Sequence, residues 1–241
     1  MTTFVLMHGG GMGGWTWKFC REILEAKGHT VYTPTFTGFG EREHLISRAA
    51  GNDVHVLDVV NVLKYEDLSD VVLVAHSYAG TIVPGVLAQA GERVSRAILL
   101  DAIIAHAGER IASLLGFASE ADAAGLDAML AAGEGPIGSG VHLQQREMSK
   151  THPFMMSAER QQWLLDHLSD QPMRATSCAI AVGAESITHK VDYVAAQHTI
   201  MGAMHERARA LGWPVHPHPG DHAFNVGDPE GTCDIILRIT G

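Results

Sequence analysis

Residues 71–80, Val-Val-Leu-Val-Ala-His-Ser-Tyr-Ala-Gly, combine a nucleophile with a steric frame that would activate it. An apolar run with strand character enters Ala75-His76-Ser77-Tyr78-Ala79, and a helix-like segment follows. A strand-to-helix turn this tight strains the serine backbone and demands small residues two places before and after it. It lifts the Ser77 hydroxyl to the C-terminal edge of a sheet and leaves the Tyr78 N–H facing a developing oxyanion. Ala replaces Gly at both flanks, so the strict Gly-x-Ser-x-Gly pattern fails while its steric requirement survives. A serine in an ordinary βα turn is the plainer reading, and two other segments weigh against it.

The first is His8-Gly9-Gly10-Gly11-Met12-Gly13-Gly14, directly after the short apolar strand Phe4-Val5-Leu6-Met7. Glycines this dense suit a loop whose backbone approaches a ligand closely and offers free N–H groups. A phosphate cradle is the rival, but no Lys-Ser/Thr follows and no acid ends the next strand, which closes on Thr33-Pro34-Thr35. The loop therefore reads as an oxyanion loop, with Gly10 N–H and Tyr78 N–H as its donor pair, and Gly9 and Gly11 beside the substrate.

The second is Trp213-Pro214-Val215-His216, a short strand, followed by the loop Pro217-His218-Pro219-Gly220-Asp221-His222-Ala223-Phe224. A general base on a loop beyond the last strand could reach Ser77 and later protonate a leaving group, and His222 fits best. A metal site of His216, His218 and His222 is disfavoured by the intervening prolines and the lack of an acid at matching spacing. The orienting acid has three candidates. Cys178–Val182 reads as the penultimate strand, and Glu185 just beyond it is the first choice. Asp101, ending the strand Ala97-Ile98-Leu99-Leu100, is the second; Asp192, at an expected helix start, is the third.

These segments together resemble the small α/β-hydrolases that group bacterial carboxylesterases with plant methyl esterases and hydroxynitrile lyases. The similarity is carried by Phe4-Val5-Leu6-Met7-His8, Gly14-Trp15-Thr16-Trp17, Gly28–Pro34, Ala75–Gly80 and Gly220-Asp221-His222, and runs over nearly the whole chain. Glu185-Ser186-Ile187 falls on the pattern around the lyases' acid, with Glu where the family usually has Asp. The resemblance also separates two chemistries. The lyases require Thr directly after the N-terminal His and Lys directly after the catalytic His, whereas this chain has Gly9 and Ala223. Without a cation at 223, a departing cyanide would be an unpaired anion in an apolar pocket, so the resemblance implies an esterase.

The expected mechanism is two-step acyl transfer on a small-to-medium, largely apolar ester, needing no metal or organic cofactor. Carbamates and amides share the tetrahedral intermediate and stay open beside esters. A lyase and a non-catalytic ligand receptor are the rival classes. Composition fits a water-soluble enzyme. At 241 residues with 46% hydrophobic content the chain suits one α/β domain, and no apolar run reaches the ~20 residues that span a bilayer. Cys20, Cys178 and Cys233 are scattered and odd in number, which points to a reducing cytoplasm. A net charge of −10 argues against nucleic-acid and membrane partners; a small-molecule ester or carbamate is the expected partner, and a homodimer is compatible.

The positioning elements alternate up to about residue 104: strands 3–8, 30–34, 70–75 and 95–101, with helices at about 15–27, 54–67 and 79–91. This pattern predicts a mostly parallel, doubly wound sheet. Residues 105–172 break the alternation with helix-like pieces at 109–117, 119–132 and 157–169, read as a helical cap between core segments 1–104 and 173–241. Leu114, Phe117, Met148, Phe154 and Trp163 of that cap are the candidate pocket lining, while Arg146 and Lys150 could meet a substrate carboxylate or simply face water.

Overall fold

Phe4, Val5, Leu6 and Met7 are each completely buried, which an apolar tetrapeptide achieves only inside a sheet covered on both faces. A computed structural model describes residues 1–241 and places them in strand β1 (Thr3–Met7). The other strands are β2 (Thr30–Tyr32), β3 (Val71–His76), β4 (Val94–Leu100), β5 (Lys190–His198) and β6 (Val215–Asp221). All pairings are parallel, in the order β2-β1-β3-β4-β5-β6. The fold is thus a doubly wound α/β sheet, fully parallel over six strands, as the sequence leads one to expect.

Side-chain alternation divides the core in two. Val5, Met7, Leu73, Ala75, Ala97 and Leu99 join a cluster of 33 buried residues on one face. Phe4, Leu6, Val72, Val74, Ile98 and Leu100 join one of 15 on the other. Each fully buried Leu, Ile or Val contributes ~1.5–3 kcal/mol, and a one-residue slip in register would exchange the faces. Helices α1 (Lys18–Ala26), α2 (Asn52–Tyr65) and α3 (Val83–Ala90) connect the first four strands. Chain order reverses direction between β1 and β3, and the crevice at such a switch point is where open α/β sheets bind ligands. The glycine loop after β1 and Ser77 after β3 therefore face one another by topology.

Between β4 and β5 lies an insert of helices α4 (Ile111–Leu114), α5 (Glu120–Ala131), α6 (Val141–Thr151), α7 (Ala158–His167) and α8 (Arg174–Ser177). Helix α6 falls between the helix-like pieces 119–132 and 157–169, and α8 carries the helical run past residue 172. Helices α9 (Gly202–Ala210), α10 (Phe224–Gly227) and α11 (Pro229–Thr240) complete the chain. No helix is long and apolar enough to cross a membrane.

One strand assignment is corrected. Cys178–Val182 is not in the sheet; Ile180 instead exchanges backbone hydrogen bonds with Glu109 O (2.9 Å) and Gly108 N (2.8 Å). The apolar run is real, since Cys178 and Ile180 are buried, but its backbone partner is a loop. The penultimate strand is β5, about a dozen residues later. Asp192 therefore sits within a strand rather than at a helix start, where it meets His216 Nε2 (2.8 Å) and Arg96 (3.3 Å).

Candidate active site

Ser77 has φ +52°, the left-handed backbone that an elbow imposes on a non-glycine residue. Small neighbours make room for it. A Cβ on Gly9 would come within 2.9 Å of His76 Nδ1 and 3.1 Å of Ser77 Cβ, so the glycine loop packs directly on the elbow. Gly80 is constrained likewise, its missing Cβ being directed at Ile103 O and Ala102.

Ser77 Oγ donates to His222 Nε2 at 2.9 Å, and His222 Nδ1–H donates to Asp101 Oδ2 at 2.6 Å. The three side chains come from the ends of β3, β4 and β6. The carboxylate on His222 is thus Asp101, which corrects the first choice, Glu185. Glu185 lies before β5, accepts from Ala107 N at 3.1 Å, stands 3.2 Å from His106 Nδ1 and has a side chain 42% exposed. The end of β5, where an acid after the penultimate strand would fall, holds Thr199 instead, and its hydroxyl donates to Asp101 Oδ2 at 2.6 Å. A Glu185 placement depended on the misassigned strand at 178–182.

Asp101 is fully buried and, like Ser77, has positive φ (+44°). Besides His222 and Thr199 it receives His205 Nε2 (2.8 Å) and Ala196 N (3.3 Å). Burial would raise its pKa, but the hydrogen bonds from His222, Thr199 and His205 outweigh it and hold the carboxyl down at about 2. An ionised carboxylate at this position fixes the His222 tautomer with Nδ1 protonated and Nε2 open towards Ser77.

The His222 backbone is fixed as well. Its carbonyl accepts from His76 Nε2 at 2.8 Å, and the N–H of the same peptide, on Ala223, donates to Asp221 Oδ1 at 2.9 Å. The other oxygen of Asp221 accepts from Met155 N of the insert at 2.6 Å. His76 is neutral, its pKa lowered to about 3 chiefly by burial.

Gly10 N–H donates to no acceptor within the protein. Tyr78 N–H opens a 3-10 turn (Ser77–Thr81), where the first N–H groups have no intrahelical partner. His8 sets the direction of the Gly10 donor: its Nδ1–H donates to Gly9 O at 2.8 Å, the other end of the Gly9–Gly10 peptide, while its Nε2 accepts from Phe36 N at 3.0 Å. Burial lowers the His8 pKa to about 3, so the imidazole is neutral.

The expected pocket residues divide. Phe154 and Trp163 pack on the small cluster of Met12, Leu164, Leu168, Ala223 and Val226, next to the His222 loop. Leu114 packs against the large core cluster. Phe117 (65% exposed) and Met148 (54%) stand open to solvent and join neither cluster. Sequence reasoning missed His205, Thr199 and His76. His205 and Thr199 lie far from any motif and only tertiary contact reveals them, whereas His76 stands inside the elbow motif itself, and only the fold shows that its ring reaches the His222 carbonyl.

Comparison with known proteins places the chain in a family. Over 115 residues the chain is 37% identical to a carbendazim-hydrolysing esterase of Nocardioides sp., covering 48% of each chain. It is 31% identical over 110 residues to putative methylesterase 14 of Arabidopsis thaliana, covering 44% of this chain and 31% of that one. The matches thus span about half the length of the first relative and a third of the second. A structure described as an extracellular alpha/beta-hydrolase from a Paenibacillus species superimposes with a TM-score of 0.76, covering 99% of this chain and 98% of that one; at 22% identity the likeness concerns the fold. The model of the alpha/beta hydrolase family matches residues 4–235, nearly the whole chain, and the protein belongs to that family.

Proposed function

We propose that the protein is a serine ester hydrolase working through an acyl-enzyme. The carrying observation is the continuous relay from Ser77 Oγ to His222 (2.9 Å) to Asp101 (2.6 Å), with the serine held at positive φ. His222 Nε2 takes the Ser77 proton as Oγ attacks the carbonyl carbon. The tetrahedral oxyanion forms between Gly10 N–H and Tyr78 N–H, each such donor worth ~2.7–4 kcal/mol in the transition state. The imidazolium, stabilised by Asp101, then protonates the leaving alcohol. Water enters, His222 removes its proton, and a second oxyanion collapses to release the acid and Ser77.

The substrate class is a small-to-medium ester with an apolar acyl or alcohol part. Aromatic and aliphatic side chains beside the His222 loop, Phe154 and Trp163 among them, support that choice. The relatives named for carbendazim hydrolysis and for methyl-ester cleavage add methyl esters and carbendazim to the panel worth testing.

Intact-protein mass spectrometry after fluorophosphonate treatment, with peptide mapping, tests the reading. One adduct on Ser77 is expected, absent in Ser77→Ala and strongly slowed in His222→Ala. A folded wild type that acquires no Ser77 adduct and turns over no ester on the panel would overturn it.

A further inference from the structure

Two glutamines of the insert close on a single peptide unit of the glycine loop. Gln145 Nε2 on α6 donates to Gly10 O at 3.2 Å, and Gly11 N–H donates to Gln171 Oε1, between α7 and α8, at 2.9 Å. Gly10 C=O and Gly11 N–H are the opposite ends of one peptide plane, so the plane is gripped from both sides. We propose that Gln145 and Gln171 are positioning residues that clamp the Gly10–Gly11 peptide and so aim the Gly10 N–H, making the oxyanion hole a joint product of the sheet and the insert. The inference rests on the acyl-transfer reading above.

Further observations support the clamp. Three consecutive glycines have more backbone freedom than any other tripeptide, and a donor aimed at a developing charge must not wander. His8 holds the Gly9–Gly10 peptide, but the next plane, which fixes ψ of Gly10 and the positive φ (+70°) of Gly11, has no partner from the sheet. The glutamines supply it.

Gln171 is built to stay in place. It is 3% exposed, its carbonyl accepts from Ser139 N at 3.0 Å, and its N–H donates to Asp170 Oδ1 at 2.8 Å. Asp170 Oδ1 also accepts from Gly140 N at 2.8 Å, which ties the segment to the start of α6, where Gln145 resides. Ser169 N extends the grip by donating to Gly11 O at 3.0 Å.

Gln145 is half-buried on α6, and its Nε2 reaches Gly10 O at 3.2 Å. Gly10 is fitted to the Gln171 end of the clamp, because a Cβ there would lie 2.7 Å from Gln171 Oε1.

Gln145→Leu and Gln171→Met each cut one end of the clamp without adding charge. With p-nitrophenyl butyrate, kcat is expected to fall about tenfold in each, short of the 10²–10³ that follows outright loss of a donor, with KM within threefold of wild type. The clamp acts as a unit, so the double variant should lose far less than the product of the two.

The decisive readout uses two ketones of equal chain length. An alkyl trifluoromethyl ketone adds Ser77 Oγ to its carbonyl carbon, the serine proton passes to His222, and the new alkoxide occupies the hole. The matching alkyl methyl ketone binds without that adduct. Affinity for the trifluoromethyl ketone should weaken in step with kcat/KM, while methyl-ketone affinity stays unchanged. Equal weakening of both ketones, or kcat within twofold of wild type in both single variants, would overturn the clamp. A wild type that forms neither the trifluoromethyl-ketone adduct nor the fluorophosphonate adduct removes the hydrolase reading and the clamp together, an outcome distinct from failure in the variants alone.

Discussion

Asp101 and Gly10 follow strands of the same sheet, yet they are held by different parts of the molecule. Asp101 gathers its donors from the sheet half: His222 after β6, Thr199 and Ala196 at the end of β5, and His205 on α9. Gly10 is held at one peptide by His8 of its own strand end and at the next by side chains 135 and 160 residues from their partners. The base and its acid are thus assembled by the sheet, whereas the oxyanion loop is completed by the insert. Damage to the first half should abolish proton transfer; damage to the second should mis-aim a donor and leave residual activity.

Asp101→Asn breaks the first half most completely. An amide in place of the carboxylate stabilises the wrong imidazole tautomer, and kcat should fall ~10⁴-fold with little change in KM. Glu185→Gln should leave kcat within twofold, because the Glu185 side chain faces Ala107 and His106 rather than His222. Ester turnover by the two purified variants compares the sites directly; equal losses would return the acid's role to Glu185.

Protonation strikes both halves at once. His8 and His76 hold the Gly9 and His222 carbonyls, and His55 bonds Tyr78 OH at 2.7 Å. Burial lowers their pKa values to about 3, 3 and 4. The unfolded chain binds protons at these sites below about pH 6.5, while the folded chain does so only near pH 3–4. Stability is therefore full above pH 6.5 and declines as pH falls, by ~1.4 kcal/mol per pH unit for each histidine. Asp101, with its pKa lowered to about 2, adds stability that is lost only below about pH 4. Urea midpoints should drop steadily between pH 6.5 and 5; a flat profile there would mean that the imidazoles are charged in the native state.

His205→Ala sharpens the comparison within the sheet half. It removes one of four donors from Asp101, and a hydrogen bond to a charged acceptor is worth ~1.5–3 kcal/mol, of which only part reaches His222. A fall of about tenfold in kcat is expected, with KM unchanged and partial recovery in His205→Gln. A drop as deep as that of Asp101→Asn would place His205 in the relay itself.

The two halves also differed in how legible they were from sequence. Ser77 announces itself because an elbow is a local steric problem, solved by Ala75, Ala79 and Gly80 within a few residues. His222 follows from chain order and a glycine turn. Asp101 ranks below Glu185 in the sequence because many carboxylates end or follow apolar runs, and mistaking 178–182 for a strand moved the expected acid one element early. Local pattern cannot distinguish a buried loop such as Cys178–Ile180 from a strand, since both bury apolar side chains and only the backbone partner differs. Helix α6 and its Gln145 had no signal at all: a polar residue that contacts a peptide 135 positions away is visible only once the chain is folded.

Asp221 joins the halves, and its removal should have the smallest effect of these changes. One carboxylate oxygen takes Ala223 N and so steadies the peptide whose carbonyl His76 holds; the other takes Met155 N of the insert. Asp221→Asn keeps one acceptor oxygen and turns an amide towards the other donor. If that amide faces Met155, the His222 peptide keeps its clamp and the insert end loses its tie. If it faces Ala223, the imidazole loses register with Ser77. The first arrangement is favoured because Ala223 N is the more enclosed donor, on a residue 1% exposed, whereas Met155 is 53% exposed and can turn its N–H to water. The expected result is a two- to threefold loss in kcat with fluorophosphonate labelling of Ser77 nearly unchanged, and faster amide exchange around Met155. A hundredfold loss with amide exchange at Met155 unchanged would show that the amide faces Ala223; a hundredfold loss with faster exchange at Met155 would show that the insert holds His222 more firmly than it holds Gly10, and the division between a sheet-built base and an insert-built hole would fail.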